Sequence, residues 1–262
     1  MVQTVAKLEI IDEEGVAVVD AGAVLKNLQI NSKDALRSLL VPGAVRALRC
    51  EAAKIGSVEE AVALAEKFSY LRIQIAPAQV RSEITGLLKL LAERPPKTAL
   101  EIGAYKGGTF FLFSRVAAPD ALLVNLDLPP WPAGMGHPLW RDKLFRSYAR
   151  AQQRIELVRG DSHQPDLVAK VRQLLAGRQI DFLFIDGDHS YDSVKTDFEF
   201  YSPLVARDGL IAFHDIVPGS PDPRCEGPEF WREIKKTRNT LEFVADWKQG
   251  GYGIGAVKNS PT

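Results

Sequence analysis

Cysteine is scarce in this chain of 262 residues: Cys50 and Cys225 stand far apart and in no CxxC pair. A disulfide framework and a thiolate zinc site are therefore both excluded, and a reducing, cytoplasmic setting is expected. Net charge is absent as well. Lys plus Arg and Asp plus Glu each total 33, so no overall field draws the chain toward nucleic acid or acidic lipid, and a small molecule is the expected partner. No run approaches the roughly 18 apolar residues of a membrane span. The start, "MVQTVAKLEIIDEEG", lacks a basic segment followed by an apolar one, so the chain reads as unprocessed. Internal repeats and low-complexity tracts are missing too. An apolar fraction of 46% with 25% charged residues leaves an ordinary globular protein.

Strand-like and helix-like segments alternate from about residue 98, which indicates a parallel α/β sheet. The expected strands are "TALEIG", "LLVNLD", "IELVRG", "IDFLFID" and "GLIAFHD", followed by "LEFVAD" and "YGIGAV" as an added hairpin. Leu167, Val171, Leu174 and Leu175 mark a helix closed by Gly177. Ser190 is placed to cap a helix with Tyr191, Val194, Phe198 and Tyr201 on its buried stripe. Upstream, "KLEIIDEEGVAVVD" suggests a hairpin around Glu14-Gly15, and Ser57 with Glu60 forms a capping box before an amphipathic helix. "PAQVRSEITGLLKLLAER" reads as a long helix stopped by Pro95-Pro96. The division expected is an N-terminal extension over 1–75, a packing cover or dimerisation element, and an α/β domain over 76–262.

The stretch "FIDGDHSYD" crowds acids and an imidazole behind an apolar run. Asp186, Asp188, Ser190, Asp192 and Asp197 imitate EF-hand ligand positions, but Tyr191 stands where the calcium loop needs Gly and a strand stands where it needs a helix. Ligands in open α/β sheets bind at the C-terminal strand ends. All four histidines of the chain fall at this rim: His137, His163 and His189 follow expected strands and His214 ends one. The first strand runs into the Gly-rich turn "EIGAYKGGTF", and the second ends in Asp127, about 20 residues on, where a carboxylate suits ribose hydroxyls. Gly103, Gly107 and Gly108 do not make GxGxxG, so the dinucleotide pyrophosphate turn is missing. Glu101 suits a cationic ligand, which favours S-adenosylmethionine. From residue pattern alone, Asp186 and Asp215 also fit as turn caps and His189 as a helix N-terminal residue.

"ALEIGAYKGGTFFLF", "NLD", "VRGDSH", "FLFIDGDHSYDSVKTDFEFYSPLVARDGLIAFHD" and "GYGIGAV" together resemble the class I S-adenosylmethionine-dependent methyltransferases. The nearest group is the small-molecule O-methyltransferases, among them catechol and macrolide-sugar O-methyltransferases and cephalosporin-hydroxylase-like proteins. The likeness runs from about Gln79 to Lys258. It implies a Rossmann-like seven-stranded sheet of order 3-2-1-4-5-7-6 with the last strand antiparallel. It also implies that Glu101, Gly103, Gly107 and Thr109 hold the methionine moiety, Asp127 the ribose, and Ser162 with His163 or Asp161 the adenine edge. A divalent cation, Mg²⁺ or Mn²⁺, would lie between Asp186 and the pair His214-Asp215, and His189 would take the place of the family's catalytic lysine. His214 departs from the all-oxygen set that Mg²⁺ prefers. Imidazole titrates near neutrality, which suits proton removal from a hydroxyl.

Two long loops, Pro129 to Tyr148 and Val217 to Trp231, read as lids over the acceptor, with Trp131, Trp140 and Trp231 as candidate apolar walls. The expected function is O-methyl transfer to a hydroxyl of a small molecule of sugar or natural-product type. A nicotinamide oxidoreductase and a non-catalytic cofactor-binding protein are the alternatives. A homo-oligomer assembled through the N-terminal segment is also expected.

Overall fold

A computed structural model describes residues 7–12, 15–130 and 133–259, with side chains from Ser32 onward. Strands β1 (Lys7–Asp12) and β2 (Gly15–Asp20) pair antiparallel, while the turn residue Glu14 lies outside the described residues. Helix α1 (Ala21–Ala52) follows and buries Val41, Ala44 and Leu48 at helical spacing. In α2 (Val58–Lys67) the Ser57 hydroxyl accepts from Glu60 N at 3.2 Å, and Glu60 Oε2 accepts from Gly56 N at 2.6 Å. The capping box thus closes one residue earlier than its standard form. A short hairpin of β3 (Ser69–Tyr70) and β4 (Ile73–Gln74) leads to α3 (Arg81–Glu93). The expected long helix starts only at Arg81. Before it the chain passes directly over the start of the next helix, where a side chain at Gly108 would collide with the Ile75 carbonyl, and this extended approach carries Gln79 to the strand ends.

The α/β part then runs β5 (Thr98–Ile102), α4 (Gly108–Val116), β6 (Leu122–Asp127), α5 (Arg141–Arg146), β7 (Arg154–Arg159), α6 (Pro165–Leu175) and β8 (Ile180–Ile185). It continues through α7 (Tyr191–Tyr201), β9 (Val205–His214), α8 (Gly227–Thr237), β10 (Thr240–Phe243) and β11 (Ile254–Lys258). The sheet order is β7-β6-β5-β8-β9-β11-β10, the seven-stranded order expected, with β11 antiparallel to both its neighbours. Adjacent strand residues face opposite layers, as the two-residue period of a strand requires. Leu123, Phe182 and Phe184 pack with α2, α3 and α4, whereas Leu122, Leu183 and Ile185 pack with α6, α7 and α8. Both faces being covered explains the continuous apolar runs of β5, β6 and β8.

Trp231 corrects an expectation. It is 1% exposed, sits on α8 against Gly255, and donates from Nε1 to Glu242 Oε1 at 2.8 Å. It belongs to the core and walls no substrate. No helix among the described residues is long and apolar enough to cross a membrane.

Candidate active site

A cavity of about 650 Å³ lies over the C-terminal ends of the parallel strands, where β5 has its neighbours β6 and β8 on opposite sides. That is the switch point at which open α/β sheets bind ligands. Backbone bonds stitch its floor: Gly103 N donates to Leu126 O at 2.9 Å and Asp186 N to Ile102 O at 3.0 Å. Gly103 has φ +89°, and a Cβ there would strike the Asp186 carbonyl oxygen. Only glycine serves at this crossing. Gly107, with φ +80°, makes the left-handed turn into α4 beneath the Phe145 ring. It does not reach the cavity wall.

A narrow crevice beside the cavity gathers Glu101, Thr109 and Gln79. Glu101 is buried and accepts from Asn125 Nδ2 at 2.8 Å. Burial, then the charge of Asp186, pushes its carboxyl well above the ordinary range, against the Asn125 bond. Thr109 Oγ1 donates to Gln79 Oε1 at 2.6 Å, and Gln79 Nε2 donates to Asp186 Oδ2 at 2.7 Å. This relay fixes the Asp186 carboxylate from a residue that sequence reading missed. A lone Gln in an expected helix carries no signal; only its place over the strand ends does.

Asp127 lines the cavity at the end of β6. Its Oδ1 accepts from Leu128 N at 2.9 Å, and its Oδ2 accepts from His137 N at 2.9 Å with His137 Nδ1 at 2.6 Å. His137 Nε2 lies 3.2 Å from Asp142 Oδ1, and Arg159 bonds both Asp142 and the His137 carbonyl. His137 is thus spent on holding the loop after β6 and does not line this cavity. At the adjacent end of β7, Asp161, Ser162 and His163 line the wall. Asp161 accepts from Gln164 Nε2 and His163 N, both at 3.0 Å, and these bonds lower its carboxyl. His163 Nε2 lies 3.4 Å from Oδ1 of the buried Asp197, a contact that raises the imidazole against its partial burial.

The stretch behind β8 separates into distinct duties. Asp186 Oδ1 lies 3.0 Å from His214 Nδ1, and Asp215 Oδ2 lies 3.3 Å from His214 Nδ1 and 3.1 Å from His189 Nδ1. Burial alone would depress the buried His214 imidazole, but the charges of Asp186 and Asp215 outweigh it and hold the group well above its usual range. Neither His214 ring nitrogen has an aligned hydrogen-bond partner. Asp215, with φ +56°, accepts at Oδ1 from the backbone N–H of Tyr252, itself at φ +61°. Left-handed backbone at two non-glycine residues is strain of the kind that collects at functional sites. Asp186, His189 and Asp215 each offer a ligand atom, all within 4.8 Å of one another. The sequence-based trio put His214 in the place that His189 takes in this group.

Ser190 stands at the N-cap of α7, but its side chain makes no capping hydrogen bond. Its hydroxyl donates to Asp188 Oδ1 at 2.6 Å, and the helix N-terminus is met instead by Glu226 Oε2, which accepts from Tyr191 N at 3.0 Å. Asp197 turns to His163, so no calcium loop forms. Of the two long loops, the second borders the cavity through Ser220, Pro221, Asp222, Arg224 and Cys225, and the first through Met135. In the first, Trp131 lies outside the described residues, and Trp140 is buried away from the cavity with Nε1 donating to Asp34 at 3.0 Å.

Residues 100–216 match the family model described as "Methyltransferase domain". This stretch is therefore similar to a methyltransferase domain. Catechol O-methyltransferase of Bos taurus is 26% identical to the chain over 137 residues, 51% of this chain and 47% of that protein. The chain spans about half or less of the first curated relatives it matches. The chain is similar in fold to the O-methyltransferase TomG from Streptomyces achromogenes, a complex with S-adenosylmethionine (TM-score 0.54, 17% identity, covering 79% of this chain and 92% of that one). The O-methyltransferase from Bacillus cereus in complex with S-adenosylhomocysteine is similar as well (TM-score 0.50, 21% identity, 78% and 91% covered).

Proposed function

We propose that this protein transfers a methyl group from S-adenosylmethionine to a hydroxyl of a small molecule of sugar or natural-product type, with help from a divalent cation. One observation carries the reading: a single cavity joins the Gly103 turn, Asp127 and the 161–163 wall to the Asp186, His189 and Asp215 group. The neighbours bound to S-adenosylmethionine and S-adenosylhomocysteine support the choice of donor. Asp127 is assigned to the ribose, Asp161, Ser162 and His163 to the adenine edge, and Glu101, Gly103 and Thr109, with Gln79, to the methionine end. The glycine spacing that lacks GxGxxG argues against a nicotinamide cofactor.

Bound there, S-adenosylmethionine would supply an electrophilic methyl carbon on sulfur. His189, held by Asp215, takes the acceptor's hydroxyl proton as the oxygen bonds that carbon and the carbon–sulfur bond breaks. Asp186 and Asp215, with the His214 imidazole 3.0 and 3.3 Å from them, would hold a cation that accepts mixed oxygen and nitrogen ligands, Mn²⁺ more readily than Mg²⁺, and leave His189 as the base. Such a cation would lower the pKa of the acceptor hydroxyl.

Calorimetry with S-adenosylhomocysteine tests the donor site. Micromolar binding is expected, weakened about tenfold or more in Asp127→Ala through loss of a charge-assisted hydrogen bond; no binding by the wild type would end the reading. Activity should fall on EDTA treatment and in Asp215→Ala, and insensitivity to both would remove the cation. Intact cofactor binding without transfer across a broad acceptor panel would favour a non-catalytic role. Residues 1–75 would also serve as a self-association element; light scattering of the full chain tests this, with the mass of a dimer or larger expected and a monomer mass ruling it out.

A further inference from the structure

Beyond the exposed ring of Tyr105 a second recess, of about 250 Å³, opens beside the main cavity, and Tyr105 and Met135 line both. Arg37, Arg72, Lys106 and Arg141 line this recess and no carboxylate does. The main cavity is its electrostatic opposite, with six aspartates and one arginine on its wall. In a chain whose charges cancel, that segregation is local.

The cations are built in rather than scattered over a solvated face. Arg141 is buried, donates from Nη1 to Gln74 O at 3.0 Å and to Lys106 O at 2.9 Å, and stacks at 4.5 Å on Trp140. Burial foremost, and the like charge of Arg37 among the smaller influences, lowers the Arg141 guanidinium. Asp34 is already engaged by Trp140 Nε1 at 3.0 Å and by Arg37 at 3.4 Å. Arg72 and Lys106 have no carboxylate within ion-pair distance among the described residues; Lys106 lies instead over the Tyr105 ring at 4.9 Å. Arg72 and Lys106, without counter-charge at the mouth of a site, raise the local concentration of anions, and arginine forks match carboxylate and phosphate oxygens. The methionine end of the donor is not the candidate occupant, because it is assigned to the side of Gln79, Glu101 and Thr109, none of which lines the recess.

We propose that this recess binds an oxyanion carried by the methyl acceptor. The acceptor is then a hydroxylated small molecule with a carboxylate or phosphate group, its hydroxyl at His189 and its anionic end beyond Tyr105. The assignment rests on the methyl-transfer reading. The test is tryptophan fluorescence and calorimetry of the full chain, saturated with S-adenosylhomocysteine, titrated with inorganic phosphate in one arm and benzoate in the other against chloride at matched ionic strength. Saturable binding of at least one anion is expected, and the better-bound one names the group. In Arg37→Gln/Arg72→Gln it should weaken about tenfold, the loss expected for charge-assisted hydrogen bonds, with S-adenosylhomocysteine affinity unchanged. Binding no stronger than chloride for both anions, or equal affinity in the double variant, overturns the proposal. Failure of the wild type to bind S-adenosylhomocysteine would instead fail the methyl-transfer reading, and the anion arms run without it would still decide the recess.

Discussion

At the scale of single residues, the site works through pairs whose members lie far apart in the chain. His163 owes its raised imidazole first to Asp197 on α7 and only then to its own neighbour Asp161. A folded-state value above the ordinary imidazole value of about 6.5 means that the stabilising contribution is fully present below that pH and is lost as pH climbs through the raised value. Asp197→Asn should bring the His163 titration down toward the ordinary range and flatten the decline of melting temperature above neutrality. NMR titration of the His163 ring and melts across pH 5 to 9 check both; an unmoved ring titration would refute the pairing. Half of this contact was readable in advance, since His163 follows a strand. Asp197 was not, because it looked like one more acid on a helix and only the packing of α7 buries it toward β7.

At the scale of elements, local rules succeed where the cap and the capped helix are neighbours and fail where the partner is distant. Ser57 and Glu60 close the start of α2 from within four residues, as the pattern S-x-x-E requires. Ser190 offers the same kind of signal before α7, yet Asp188 takes its hydroxyl and Glu226 from the second long loop meets the helix. The same loop grips the site, since Glu226 N donates to the His189 carbonyl at 2.8 Å. Glu226→Ala leaves that backbone bond but should cost about 1 kcal/mol, the usual worth of an N-terminal cap, and should lower kcat by freeing the start of α7 two residues after His189. Melting temperature and steady-state kinetics measure the two effects. Wild-type kcat in a destabilised variant would show that the loop serves the helix alone.

At the scale of the whole molecule, residues upstream of the α/β part share its core. Leu48, Val62, Phe68 and Ile73 are buried in the same cluster as Phe110, Phe113 and Phe184. At roughly 1.5–3 kcal/mol for each fully buried large apolar side chain, these four approach the roughly 5–15 kcal/mol by which a domain is stable. Deleting residues 1–75 should abolish cooperative unfolding in calorimetry. A sharp melt of residues 76–262 alone would instead establish an independent domain.

The strands were determined by sequence alone, because apolar runs of four to six residues bounded by turns mark them, and their order was implied by the family resemblance that the motifs around Glu101 and Asp186 carried. The rim of the site was legible for the same reason: strand ends place Gly103, Asp127, Asp161, Asp186 and Asp215 on one side. Tertiary structure decided what each side chain does there. It set Gln79 against Asp186, turned His137 inward, buried Trp231 in the core and gathered four cations beside Tyr105. Local sequence encodes period and turn, whereas these contacts join residues separated by tens of positions, and only the closing of the core brings them within reach.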